Sequence, residues 1–303
     1  MSFLWTLSEI RTPFWDAAMG LITRIGEETL AIIVICALFW CINKELAYLM
    51  GFTYFVSGLL VQGLKITFRI QRPWVLDPNF QAVEAAVPAA TGYSFPSGHT
   101  QSATAMFSVL GFRAKRMWLK ITFFVVAVLV GFSRMYLGVH TPADVLTGFC
   151  VSLLISALLC WAVDRVKLTP KTELLLLIVL LVFALALLGY ALSLYGAGVI
   201  AREYADGCCK AAGAGVGFAL GFYLERRFVR FDPRAASLPI QFLKFAIGIA
   251  GLLALKSGLK LLLGTSLAAD TVRYAIIVLW ALVLFPLLIK KWFSRGAAKP
   301  ERA

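Results

Sequence analysis

The sequence predicts an all-α, polytopic membrane protein, and three observations carry that expectation. Apolar residues make up 60% of the 303-residue chain and charged residues 15%, with a mean hydropathy of +0.84, far from the balance of a soluble domain. Apolar runs of about 20 residues, each long enough to cross a bilayer, recur along the chain. Basic residues gather in alternate connections between those runs, the asymmetry that orients membrane proteins. A formal charge of +13 in a soluble chain would suggest nucleic acid. Here it reflects the loop asymmetry, and no nucleic-acid partner is expected.

Residues 1–25 interleave Phe3, Leu4, Trp5, Phe14 and Trp15 with Glu9, Arg11, Asp16 and Arg24, the pattern of an amphipathic helix in the membrane interface. Nine spans are then expected, over 29–42, 46–65, 99–112, 118–137, 142–163, 172–195, 211–224, 238–264 and 272–290. The long loop 66–98 carries Arg69, Arg72-Pro73, Asp77-Pro78 and Pro88, which interrupt any helix. Thr141-Pro142 reads as an N-cap with proline at the first helical position, so a helix begins just after His140. Gly213, Gly217 and Gly221 recur at four-residue spacing. Such a stripe suits close helix packing and offers the 211–224 helix as a homo-oligomer contact. Lys256 and Lys260, one turn apart near a helix end, are expected to snorkel to the surface. Cys36, Cys41, Cys150 and Cys160 fall in apolar spans and Cys208-Cys209 are adjacent, so free thiols are expected.

The basic connections carry Lys44, then Arg113 to Lys120, Arg165 to Lys171, Arg226 to Arg234, and Lys290 to Arg302. They define one face as cytoplasmic, together with the C-terminus. The segments holding the two histidines of the chain, His99 and His140, then face the outer side of what is expected to be the plasma (inner) membrane.

Three segments on that outer side carry the chemistry. Lys65 and Arg72-Pro73 supply two cations at the end of the second span. Pro96-Ser97-Gly98-His99 opens the third span, where free N–H groups and the helix dipole favour an anion. Ser133-Arg134, His140 and Asp144 complete the set, with His140 and Asp144 four residues apart. Ionisable residues at membrane depth are costly and mark function. Each also has a plainer reading. Asp144 fits a Thr-x-x-Asp capping box, a lone histidine can be an interfacial one, and Arg72 can anchor a loop to headgroups. Together, at this spacing and on one face, the residues read as a phosphate cage formed by Lys65, Arg72, Ser97, Gly98 and Arg134 beside His99, His140 and Asp144.

The pattern Lys65-(six)-Arg72-Pro73, Pro96-Ser97-Gly98-His99 and Ser133-Arg134-(five)-His140-(three)-Asp144 resembles the three-part signature of the type 2 phosphatidic acid phosphatase superfamily. The 40–65 region and Tyr93 to Ser97 also look similar to its sphingosine-phosphate phosphatase branch. The resemblance covers roughly residues 25–165 and implies a six-helix catalytic core. The corresponding division is 26–165 for the core helices with the motifs, 166–195 for the sixth helix, and 196–303 for about three additional transmembrane helices of unassigned role. The resemblance implies no metal and no cofactor.

The residues themselves suggest the roles. His140 can attack phosphorus as a neutral imidazole and form a phosphohistidine, Asp144 can hold its ring, and His99 can act as acid and then base. The expected reaction is hydrolysis of a membrane lipid phosphate or diphosphate: undecaprenyl diphosphate, phosphatidic acid or a sphingoid-base phosphate. Two alternatives stay open, an anionic-lipid transporter or flippase using the cage without hydrolysis and a haloperoxidase-like oxidant.

Overall fold

The computed structural model describes residues 1–233 and 237–293, with side chains as far as Lys290. Expectations resting on Arg234, the Lys291 side chain, Arg295, Lys299 and Arg302 lie outside the described residues. All regular structure described is helical. The first helices are α1 (Ser2–Glu9), α2 (Pro13–Arg24), α3 (Glu28–Ala37), α4 (Lys44–Phe68) and the short α5 (Pro73–Leu76). Then come α6 (Gly98–Arg113), α7 (Met117–Tyr136), α8 (Pro142–Arg165) and α9 (Pro170–Gly196). The last four are α10 (Arg202–Leu224), α11 (Leu238–Leu263), α12 (Leu267–Leu279) and α13 (Phe285–Phe293).

Each helix start follows local chemistry. The Asn43 carboxamide accepts from the Leu46 N–H at 3.1 Å to open α4, and Thr141-Pro142 and Thr169-Pro170 begin α8 and α9 with capping boxes. The end of α4 unwinds at Arg69, which adopts a left-handed φ of 52°.

Every expected span has a helix, but fewer qualify as crossings than the nine expected. Among the described residues, seven helical stretches are long and apolar enough to cross a membrane, and up to eight if α2 and α3, bent by 44°, form one broken span. The α6 helix falls short because its 16 residues extend only about 24 Å against a hydrocarbon thickness of about 30 Å. It is also rich in buried polar groups, among them Thr100, Gln101, Ser102, Thr104 and Ser108, so protein rather than lipid surrounds it. Leu154, Leu158, Val179, Val182 and Phe242 are exposed on the outer helices, as a lipid-facing surface requires.

Around α6 pack α4, α7 and α8, while α10 packs on α9, α12 and α4. The glycine stripe serves this second cluster. A Cβ on Gly213 would collide with the Thr271 backbone of α12, and one on Gly217 would lie 2.5 Å from the Ala275 carbonyl. The face expected to offer a homo-oligomer contact is therefore occupied by α12 of the same chain, because only glycine allows the two backbones to approach so closely.

At the end of the bundle away from the histidines, polar contacts tie the C-terminal helices to α4. Glu225, fully buried, accepts from Lys44 Nζ at 2.9 Å, from the Phe231 N–H at 2.7 Å and from the Tyr48 hydroxyl. Arg226 Nε lies 2.7 Å from Glu173 Oε1, and its Nη1 lies 2.9 Å from Glu45 Oε1. Trp40 Nε1 donates to the Ala281 carbonyl at 2.8 Å. The opposite end, where α4 and α7 finish and α6 and α8 begin, holds the candidate site.

Candidate active site

His140 lies in the connection between α7 and α8 and is 2% exposed. Its Nδ1 is 3.4 Å from Asp144 Oδ2, and its Nε2 accepts a hydrogen bond from Arg72 Nη1 at 2.9 Å. A donor on Nε2 assigns the ring proton to Nδ1, facing the carboxylate. Burial pushes the His140 pKa well below the ordinary histidine value, and Arg72, Arg134, Lys65 and His99 push it the same way. The imidazole is therefore neutral.

Asp144, 1% exposed, unites the two readings of its position. It closes the capping box by accepting from the Thr141 N–H at 2.7 Å and also takes the Ser94 hydroxyl at 2.6 Å, while the same oxygen faces His140. A carboxylate held by two donors cannot rotate away from the ring.

The three cations are held differently. Lys65 Nζ donates to the Tyr93 carbonyl at 2.5 Å. Arg72 is anchored by three carbonyls: Nε to Gly92 at 3.0 Å, Nη2 to Thr91 at 2.6 Å and Nη1 to Val139 at 3.0 Å. The loop before α6 thus folds around these two side chains. Arg134, fully buried, donates from Nη1 to Thr23 Oγ1 at 2.9 Å, whereas its Nε and Nη2 find no partner among the described residues. His99 Nε2 is likewise buried and unpartnered.

Lys65, Arg72, Gly98, His99, Arg134 and His140 line one cavity of about 860 Å³. A Cβ on Gly98 would meet nothing within 4 Å, so the N-terminus of α6 opens onto free space, where its first N–H groups favour an anion. The lining residues come from all three sequence segments and are separated by up to 75 positions (65 to 140), with Asp144 behind the His140 ring.

Two residues differ from expectation. Ser97, expected among the phosphate-binding residues, does not line the cavity. Its fully buried hydroxyl accepts from Thr100 Oγ1 at 2.9 Å and Thr100 N at 3.4 Å, because an N-cap serine turns toward its own helix. Lys256, expected to snorkel to the surface, is exposed, but it also lines the cavity, on the side of α11 that faces the bundle. Two contributors escaped the sequence reading. Ser94 lies just before the Pro96 to His99 segment, and its place in the Tyr93 to Ser97 stretch was the available signal. Thr23 left none, because its contact with Arg134 spans 111 positions.

The fold and this site define an integral membrane protein with a buried, cationic, histidine-bearing pocket at one end of a helix bundle. Residues 46–168 match the PAP2 superfamily, and residues 209–297 match the transmembrane extension of PAP2 superfamily phosphatases. Phosphatidylglycerophosphatase B of Bacillus subtilis is 30% identical over 174 residues, covering 52% of this chain and 80% of that protein. Dihydrosphingosine 1-phosphate phosphatase YSR3 of Saccharomyces cerevisiae is 24% identical over 171 residues, covering 52% of this chain and 41% of the relative. A crystal structure of the first transmembrane PAP2-type phosphatidylglycerolphosphate phosphatase from Bacillus subtilis is 30% identical, covering 55% of this chain and 85% of that one with a TM-score of 0.46. The chain belongs to the PAP2 superfamily. It is a membrane lipid phosphatase of that family, and similarity to sphingoid-phosphate phosphatases accompanies the match.

Proposed function

We propose that the protein hydrolyses a lipid phosphate or diphosphate through a phosphohistidine on His140, with the active site on the outer face of the membrane. The observation that carries this reading is Arg134. A guanidinium with no exposed surface and two unpartnered donors is costly unless an anion completes it. Those donors share a cavity with an unpartnered His99 Nε2 and the neutral ring of His140.

The phosphoryl oxygens bind Arg134, Arg72, Lys65 and the N–H groups at the start of α6. As they enter, Arg72 Nη1 transfers its hydrogen bond from His140 Nε2 to an oxygen, which frees the Nε2 lone pair. Burial and the cations Arg134, Arg72 and Lys65 lower the His99 pKa to about 3, and the negative charge of the bound phosphate offsets them, so that His99 takes up a proton as the substrate binds. Nε2 attacks phosphorus in line and the ester P–O bond breaks, while His99 gives that proton to the leaving oxygen. Asp144, positioned by Ser94 and the Thr141 N–H, stabilises the positive charge growing on the ring. In the second step His99 removes a proton from water, the water oxygen bonds to phosphorus, and the P–N bond breaks. Phosphate leaves and His140 returns to its neutral form. The cations supply the charge stabilisation throughout.

A substrate with an alkyl or isoprenoid tail gains from this setting, since each buried CH₂ contributes about 0.8 kcal/mol. Undecaprenyl diphosphate, phosphatidic acid and sphingoid-base phosphates are the candidate substrates, joined by phosphatidylglycerophosphate through the relative above. The test is phosphate release from such lipids in mixed micelles by the purified protein. Binding without release would overturn the reading and favour transport of an anionic lipid.

A further inference from the structure

The cavity does not end at the phosphate cage. Its lining continues past Gly26 and Glu28 to Lys210, Lys256 and Tyr274, which come from the helices beyond the catalytic segments. The two regions adjoin directly, because a Cβ on Gly26 would lie 2.7 Å from the His99 carbonyl, and Glu28 follows two residues later. Lys210 is held by Asp206 at 2.5 Å. Glu28 and Lys256 have no side-chain hydrogen bond and no ion pair within 4 Å among the described residues, yet both line the cavity. Lys256 lies within α11, away from the last turn where a cation complements the helix dipole. Glu28, in the first turn of α3, and Lys256 attract one another across the cavity without touching, and two opposite charges at membrane depth with no hydrogen-bonded partner leave room for a polar ligand between them.

We infer that Glu28 and Lys256 form a second polar subsite, which binds a hydroxyl or amine on the substrate's head a few bonds from the scissile phosphate. The inference rests on the phosphatase reading above and assigns the C-terminal helices a part in substrate selection. Glu28 accepts from either group, and Lys256 donates to a hydroxyl oxygen. Ile277 and Leu282, in the same lining, leave an apolar path for the tail. A plain polyisoprenyl or alkyl phosphate has nothing to offer this pair. An amino-alcohol or glycerol-type head does.

The experiment compares three lipid phosphates of identical saturated chain, differing only at the carbon next to the ester carbon, which bears hydrogen, a hydroxyl or an amine. Catalytic efficiency for phosphate release is measured in mixed micelles for the wild type, Glu28→Gln and Lys256→Met. Each enzyme's plain alkyl phosphate value is the denominator, so a general loss of folded protein cancels. The wild type should favour the polar heads by about tenfold or more, as one hydrogen bond to a charged group provides. Glu28→Gln should remove most of the amine advantage, and Lys256→Met most of the hydroxyl advantage. Release from all three lipids without preference in the wild type overturns the subsite alone, and so do unchanged ratios in both variants. No release from any of them overturns the phosphatase reading together with it.

Discussion

Arg72 Nη1 donates a hydrogen bond to His140 Nε2 across 2.9 Å. The guanidinium therefore covers the nitrogen proposed to attack phosphorus and fixes its tautomer. An anion entering the cavity competes for the same donor, which couples substrate binding to exposure of the nucleophile. Arg72→Lys keeps the charge but loses the fork that grips the Thr91, Gly92 and Val139 carbonyls. Catalytic efficiency should fall about 10²–10³-fold, as for loss of a preorganised transition-state donor. Phosphate-release kinetics check this, and full activity of the lysine variant would refute it.

The two histidines should separate kinetically. His140→Ala should lose both turnover and any acid-labile, base-stable phosphoenzyme after brief exposure to labelled substrate. His99→Ala should lose turnover yet still accumulate label from a substrate with an activated leaving group, which needs no proton donor. Label retained in His140→Ala would move the nucleophile elsewhere.

Gly98 tests the anion position without disturbing the packing. An added methyl meets nothing within 4 Å, and alanine favours a helix over glycine by up to about 1 kcal/mol. Gly98→Ala should keep or raise thermal stability while weakening inhibition by vanadate at least about tenfold, because the methyl occupies the phosphoryl space. Unchanged vanadate affinity would show that the anion binds elsewhere.

The pH dependence follows from the depressed pKa of His140. The free enzyme must hold this ring neutral, so the acid limb of kcat/KM should lie below the ordinary histidine value of about 6.5. Lys65→Met removes one of the cations that depress it and should move the limb to higher pH. Stability carries the same sign. Between the folded pKa and about 6.5 the unfolded chain binds more protons at this residue, so stability falls as the pH drops below about 6.5. Activity profiles and unfolding midpoints across pH 4 to 8 (roughly the window set by the ordinary histidine value) test both statements.

Glu225 should be the anchor between the extension and α4. Glu225→Ala takes the carboxylate from Lys44, the Tyr48 hydroxyl and the Phe231 N–H, and since Lys44 is partly exposed and keeps the Phe231 carbonyl at 2.8 Å, the loss should be about 1–3 kcal/mol. The expected readout is a lower unfolding midpoint in detergent. A midpoint unchanged from the wild type would show that the apolar contacts alone hold the extension.

Much of this protein was determined by local sequence chemistry. Apolar runs near bilayer thickness can only be helices, since no other open structure satisfies its backbone in lipid. Asn43, Ser97, Thr141 and Thr169 mark helix starts because their side chains reach only a few residues ahead. The candidate site residues stood out for the same reason: they sit in short segments at helix ends, where Lys65, Arg72, His99, Arg134, His140 and Asp144 each depart from an apolar background.

Tertiary structure decided what depends on distance along the chain. Whether Lys256 lined the cavity depended on the orientation of α11 packed against partners far away in sequence. Ser94 reaches Asp144 and Thr23 reaches Arg134 only after the bundle has closed. The glycine stripe shows the principle most simply. Gly213 and Gly217 announce a close approach, but a four-residue repeat cannot name its partner, and only the folded chain chose α12 over a second copy.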